Sequence, residues 1–427
     1  MNILFQVALR NVFRNRRRSL FTLSAIVIGL TVVLVITAVA NSFHRFSVEN
    51  AVNAKLGALQ IHKAGYMDNL SLNPLSFNFD YAPELLQKIE SVQGVKAATG
   101  RIAFRGLVSN GRNQALFFAN AVDVSREETV CPRWLGALTP GSSALLAGDN
   151  AHAMLGQELA RSLVVNTAPA GESDGANAGD ETSASAALGQ TLNLSAASPA
   201  GRQNAVDVQV KATIRSLLPI EEKRSMVVPL SLAQSLLGLE GKVTEIAVAV
   251  DDLDRISEVQ SQLQAVLGSE FEVSTWADVQ PFLRDVVFRQ RVMIAIVSVI
   301  LFVLVLFVIA NTMTMAVFER TREIGTMLSV GIKRRQIQTI FFSEALFVGM
   351  VGGLIGLILG LVIVLITHRI GIPFGSVGFE RGILRPFLTF DFVLISFFVS
   401  ILCSGVAGIF PAKRASDMNP VDALRAN

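Results

Sequence analysis

Four stretches of this 427-residue chain are long and apolar enough to form helices that cross a bilayer, which takes about 20 residues each. They fall at 20–41, 290–318, 337–367 and 389–410, and the second includes VMIAIVSVILFVLVLFVIANTMTMAV. In lipid the backbone N–H and C=O groups must be satisfied within the segment itself, so such runs fold as helices. The expected fold class is therefore a membrane protein with four transmembrane α-helices. A charged content of 17% agrees with this, because soluble domains carry about 25%.

The charges between the runs set the orientation. Residues 1–19 carry Arg10, Arg14, Arg16, Arg17 and Arg18 and no acid. Segment 319–336 holds Arg320, Arg322, Lys333, Arg334 and Arg335 against two acids, and the tail 411–427 holds Lys413, Arg414 and Arg425 against two. Basic flanks stay in the cytoplasm. Residues 42–289 are acidic on balance and belong outside, as must the loop 368–388, although its three basic residues against one acid fit the rule poorly. The first run is too long for the apolar core of a cleaved leader, so it is read as an uncleaved anchor. The expected localisation is the inner (plasma) membrane. The two cysteines, Cys131 and Cys403, lie on segments that this topology keeps apart, and the four histidines have no metal-ligand spacing.

The third run carries Gly349, Gly352, Gly353, Gly356 and Gly360, and the fourth carries Ser396, Ser400, Ser404 and Gly408. Each glycine weakens an isolated helix by about 1 kcal/mol. Small residues four apart make a flat face for close helix approach in lipid, so these are read as packing faces. A pore lining is the sharper alternative. Glu344, near the start of the third run, is expected to reach the headgroups. No charge lies deep in a span, which argues against an ion-coupled transporter.

Residues 42–289 are long enough for a core of their own and read as an α+β domain. Strands are expected at 57–66, 95–108, 114–122, 190–195, 206–216, 243–250 and 271–275. Helices are expected at 42–56, 83–90, 151–163, 229–237 and 253–267, and a further helix opens near Trp276 and runs into the second span. The strand-rich middle suggests a second lobe. Segment 166–189, rich in Ala, Gly, Ser, Asp and Glu, reads as a flexible loop.

The most specific stretch is FERTREIGTMLSVGIKRRQIQTIFFSEAL (318–346). Ile324, Met327 and Leu328 share one face of a helix, charges occupy the other, and Gly331 stops it. Such a helix either meets anionic lipid or docks a cytoplasmic partner, and periodicity does not separate the two.

ERTREIG, VGIKRRQI, the glycine-rich third helix and the tail PAKRASDMNPVDALR together resemble the FtsX/MacB family of ABC transporter permeases, including LolC/LolE-type subunits. The outer pieces GALQIHKAGY, GQELA (156–160) and STW (274–276) resemble that family's MacB-type periplasmic core domain. The resemblance implies a non-catalytic subunit of a permease dimer, with a second copy or paralogue and a cytoplasmic ATPase partner. ATP and Mg would be bound by that partner, and this chain would hold no cofactor. Only 19 residues precede the first span, and no G-x-x-x-x-G-K-[ST] loop occurs in the sequence.

By the same resemblance 319–336 is the coupling helix, with Glu319, Arg320, Arg322, Glu323 and Gly325 as contact candidates. Membrane lipid and a periplasmic or lipoprotein partner are in keeping with it; nucleic acid is not. Family substrates span lipoproteins, lipids, toxins, antibiotics and peptides, and LolC/LolE-like features point to a lipid-linked one. Force would pass from ATPase to outer domain by mechanotransmission. The rivals are an FtsX-like regulator of an extracytoplasmic enzyme and a membrane-anchored enzyme. The second lacks any nucleophile motif.

Overall fold

The computed structural model describes residues 16–69, 73–135, 137–139, 141–164, 187–215, 223–374 and 382–419. The expected flexible loop at 166–189 lies almost entirely outside these residues. In chain order the helices are α1 (Arg16–Ala51), α2 (Pro83–Glu90), α3 (Val124–Val130), α4 (Gln157–Val164), α5 (Leu230–Leu237) and α6 (Ile256–Leu267). They continue with α7 (Trp276–Val279), α8 (Pro281–Glu319), α9 (Thr321–Ser329), α10 (Arg334–Ile370) and α11 (Phe390–Ser416). The chain divides into a helical unit, residues 1–46, 286–374 and 383–427, and a second unit, 47–285 with 375–382.

In the helical unit α1, α8, α10 and α11 are long and apolar enough to cross a membrane. Helix α10 has two working faces. On one, Gly349 and Gly353 lie against Ser404 and Ser400 of α11. On the other, a side chain added at Gly352, Gly356 or Gly360 would meet Ile26 at 3.1 Å, the Val27 carbonyl at 3.0 Å or Leu34 at 2.7 Å of α1. Thr31 Oγ1 donates to the Gly356 carbonyl at 3.0 Å across the second contact. The absent Cβ atoms let two helices approach one backbone closely, where dispersion rather than water exclusion drives association. Ser396, also on α11, is buried. Helix α8 differs: only 6% of its most apolar stretch is buried within the chain, against 33% to 39% in the other three.

Helix α11 does not end at Pro411 but runs on to Ser416. Proline inside a helix costs about 3 kcal/mol. Burial of Pro411, Ala412, Ala415 and Ser416 offsets that cost. Between α7 and α8 the expected continuous helix is broken at Gln280, and Pro281 opens α8 at the first helical position, where its missing N–H costs nothing.

The second unit is α+β. Its main strands are β1 (Leu59–Lys63), β2 (Phe79–Asp80), β3 (Val95–Ser109), β4 (Gln114–Val122), β5 (Ala137–Leu138), β6 (His152–Gly156) and β7 (Thr191–Ala197). Then follow β8 (Gln203–Arg215), β9 (Ser225–Pro229), β10 (Lys242–Val243), β11 (Glu245–Val250) and β12 (Phe271–Thr275). A ten-stranded sheet runs β12-β1-β11-β3-β4-β9-β6-β8-β5, and β7 pairs with both β3 and β8. The path β3-β4-β9-β6-β8-β7 therefore closes into a barrel-like ring.

Strand β3 makes this possible by its length. Its first half pairs with β11 up to Arg101, and on the same edge its last four residues, Gly106 to Ser109, pair with β7. Gly106 is required there, because a Cβ would run into the Ser195 carbonyl of β7. One apolar cluster joins the open part (Leu59, Ile61, Ile246) to the ring (Phe117, Leu194, Val208), so the strand-rich middle is not a separate lobe.

The expected helix at 151–163 is a strand followed by a shorter helix. Residues 153–156 are buried between β8 and β9, and ladder pairing on both sides overrides their helical propensity.

Candidate functional site

The basic end of the helical unit carries the segment singled out by its sequence. Helix α8 stops at Glu319, and Arg320 leaves the helical region with φ −107° and ψ 17° before α9 begins. Gly331 closes α9 at φ 95°, a left-handed conformation that costs an L-side chain about 1–2 kcal/mol. The N–H groups of Gly331 and Ile332 return to the carbonyls of Leu328 and Met327, each at 3.1 Å. Lys333 N donates to Gln336 Oε1 at 3.0 Å as α10 opens.

Helix α9 is amphipathic because one side of it is core. Ile324 is buried in a cluster with Val317, Ile337, Phe341, Ala412 and Ala415, and Met327 and Leu328 pack against it. Residues 412–416 take part because α11 continues past Pro411. Gln338 Nε2 donates to Ser416 Oγ at 2.9 Å, and the Arg414 guanidinium lies 4.7 Å from the centre of the Phe318 ring. The opposite side of the segment exposes Glu319, Arg322, Glu323, Thr326 and Ser329, a helical repeat of three and four residues.

The five candidate residues thus divide. Glu319, Arg322 and Glu323 are exposed, while Gly325 and Arg320 are buried. Arg320 is 4% exposed and its Nη1 donates to Glu344 Oε2 at 3.2 Å. Glu344 is 2% exposed, so it does not reach the headgroups; it points inward to this guanidinium. The sequence carried one signal for this pair: a lone carboxylate at the start of an apolar helix needs a cation. Which of the five nearby cations it takes is decided only when α8 and α10 fold back on each other.

Among the described residues no three His, Cys, Asp or Glu side chains are grouped to hold a metal ion. In this arrangement a helix whose apolar side is buried shows a charged face, and short breaks at Arg320 and Gly331 join it to two long helices.

Residues 19–266 match the family model of the MacB-like periplasmic core domain, and residues 295–420 match that of the FtsX-like permease C-terminal. The macrolide export ATP-binding/permease protein MacB of Hyphomonas neptunium is 31% identical over 46% of this chain and 30% of its own length. The uncharacterized ABC transporter permease YknZ of Bacillus subtilis is 21% identical, with 98% of each chain covered. The chain spans about a third of the length of the first MacB relatives it matches, 30% and 32%. Among solved structures, the extracellular domain of YknZ from Gram-positive bacteria is similar at 14% identity and a TM-score of 0.33, covering 51% of this chain and 100% of that one. The periplasmic region of MacB from Actinobacillus actinomycetemcomitans is similar at 12% identity and 0.35, covering 54% and 94%.

Proposed function

Because the chain belongs to the MacB/FtsX family of ABC transporter permeases, we propose that it converts ATP-driven closure of a separate ATPase into movement of its outer domain. It is a multi-pass inner-membrane protein with a large extracytoplasmic domain. In this reading α1, α8, α10 and α11 are the spans, and 319–336 faces the cytoplasm as the coupling segment.

The observation that carries the proposal is the seating of α9. Its apolar side and Arg320 are locked into the ends of α8, α10 and α11, while Glu319, Arg322 and Glu323 project outward. A force applied to that charged face meets a buried anchor rather than a loose loop. Arg320 and Gly325 then position the helix, and the three exposed charges select the partner, since rim charges govern encounter and specificity more than affinity. Helix α8, 39 residues and about 58 Å long at 1.5 Å per residue, is the lever. Its bare apolar surface is available to lipid and to a second permease copy. In this reading ATP, Mg and the covalent chemistry of hydrolysis belong to the partner. A lipid-linked substrate, such as a lipoprotein, belongs to the same reading and rests on the LolC/LolE-type likeness of the sequence.

The test is charge reversal on the exposed face alone. Glu319→Lys with Arg322→Glu, reconstituted with the ATPase, is expected to abolish permease-dependent stimulation of ATP hydrolysis while the permease melts at its usual temperature. Unaltered stimulation in that variant would remove the docking assignment.

A further inference from the structure

The C-terminal end of α1, which lies within the second unit, does not fray into a loop. At Ala51 it widens into one π-helical turn, Val52–Leu56, closed by Gly57 N donating to the Val52 carbonyl at 2.9 Å. The last carbonyls of a helix have no partner within it and must find others. Here side chains and backbone from the folded domain supply them. Arg133 N donates to the Asn53 carbonyl at 2.9 Å, Arg101 Nη1 to the Lys55 carbonyl at 2.6 Å and Gln60 Nε2 to the Leu56 carbonyl at 2.8 Å. Cys131 Sγ sits 3.3 Å from the Val52 carbonyl, and Arg133 also pairs with the Asn50 side chain. Gly57, at φ 71°, lets the chain turn directly on β11, where a Cβ would stand 3.3 Å from the Val248 carbonyl.

Arg101 is the hub. It is 3% exposed. Its Nε and Nη2 form a two-pronged pair with the Glu127 carboxylate of α3, and Nη1 reaches Glu245 Oε1 of β11 at 3.3 Å. Glu245 faces His62 Nε2 of β1 at 3.7 Å, and the His62 ring stacks on Tyr66 with centroids 4.3 Å apart. One guanidinium therefore holds a helix end, a second helix and a sheet strand. Packed apolar side chains would stabilise such a junction at least as well, because charges are costly to bury. They would not fix its orientation, since apolar contacts are non-directional. A planar fork with five donors does, and the cation also complements the negative end of the helix dipole.

We propose that Arg101 is a positioning residue that fixes the C-terminal end of α1 and its π-helical turn, residues 47–56, to the sheet of the second unit, so that this helix end and the sheet move as one body. The proposal rests on the force-transmission reading given above.

The experiment uses the full permease with its ATPase in lipid nanodiscs. Spin labels are placed at Ser257→Cys and Arg369→Cys, with Cys403→Ala. In the otherwise native chain, trapping with ATP and vanadate is expected to shift the label distance. In Arg101→Gln with Glu127→Gln, which removes one charge of each sign, ATP turnover should stay within about twofold while the shift disappears. Amide exchange at 52–56 should rise at least tenfold in that variant. Arg101→Lys, which keeps the charge and loses the fork, is expected to behave the same way and serves if the double variant does not fold. A shift in these variants equal to that of the native residue pair would overturn this attachment. If the chain with Arg101 intact hydrolyses ATP and shows no shift, the force-transmission reading falls instead.

Discussion

Arg320 and Glu344 lie 24 residues apart in sequence and share a 3.2 Å hydrogen bond in a buried site, one at the break between α8 and α9 and the other on α10. This pair fastens the start of the exposed charged helix to the glycine-rich span. Breaking a buried ion pair by removing one member costs about 3–5 kcal/mol. Arg320→Met or Glu344→Gln should therefore lower the melting temperature of the purified permease clearly. Arg320→Met combined with Glu344→Met should recover most of it, as read by a double-mutant cycle. A double variant as unstable as either single one would contradict this account of the pair.

Two glycines should fail for different reasons. At Gly356 there is no space, because a Cβ meets the Val27 carbonyl at 3.0 Å. Gly356→Val is expected to cost about 1–3 kcal/mol through overpacking and to weaken α1–α10 association. At Gly331 nothing lies within 4 Å, but φ is 95°. Gly331→Ala should cost about 1–2 kcal/mol through backbone strain alone. Gly331→Asn should cost less, because asparagine tolerates left-handed geometry. Thermal melts of the three variants check the ranking.

Acid should loosen the second unit through Glu245. Burial pushes its carboxyl up, but His62 and the Arg101 charge outweigh burial and hold it below the ordinary glutamate range. A depressed carboxylate contributes stability above its unfolded value, about 4.3, and loses it as pH falls through the folded value. Melting temperature is expected to drop below about pH 4.3. Glu245→Gln should flatten that acid limb; parallel curves would count against the assignment.

Cys131 should be inert in the native protein. Burial pushes its thiol up to about 11, against the lowering pull of Arg101. The reactive thiolate is then scarce at neutral pH. Treatment with N-ethylmaleimide at pH 7.5 should leave Cys131 unmodified by mass spectrometry until the chain is denatured, after which it should react fully.

Much of this molecule is legible residue by residue. The four apolar runs, the alternation in 114–122 and the helix at 83–90 reflect local periodicity, and a period survives whatever surrounds it. Local pattern misled at 151–163, where pairing on two edges turned a helical composition into β6, and at Glu344, whose partner Arg320 lies 24 residues away. The exposed Arg322 and the buried Arg320 are indistinguishable as letters.

Sequence alone determined which segments enter lipid, which side their charges favour and which stretch forms the amphipathic helix, because hydropathy and charge act on each segment independently. Tertiary structure decided that α10 uses its glycines on two different neighbours, that β3 serves both an open sheet and a closed ring, and that Arg320 finds Glu344 and Arg101 finds the end of α1. Those outcomes depend on which distant residues share one buried space, where an unpaired charge or carbonyl is too costly to leave alone.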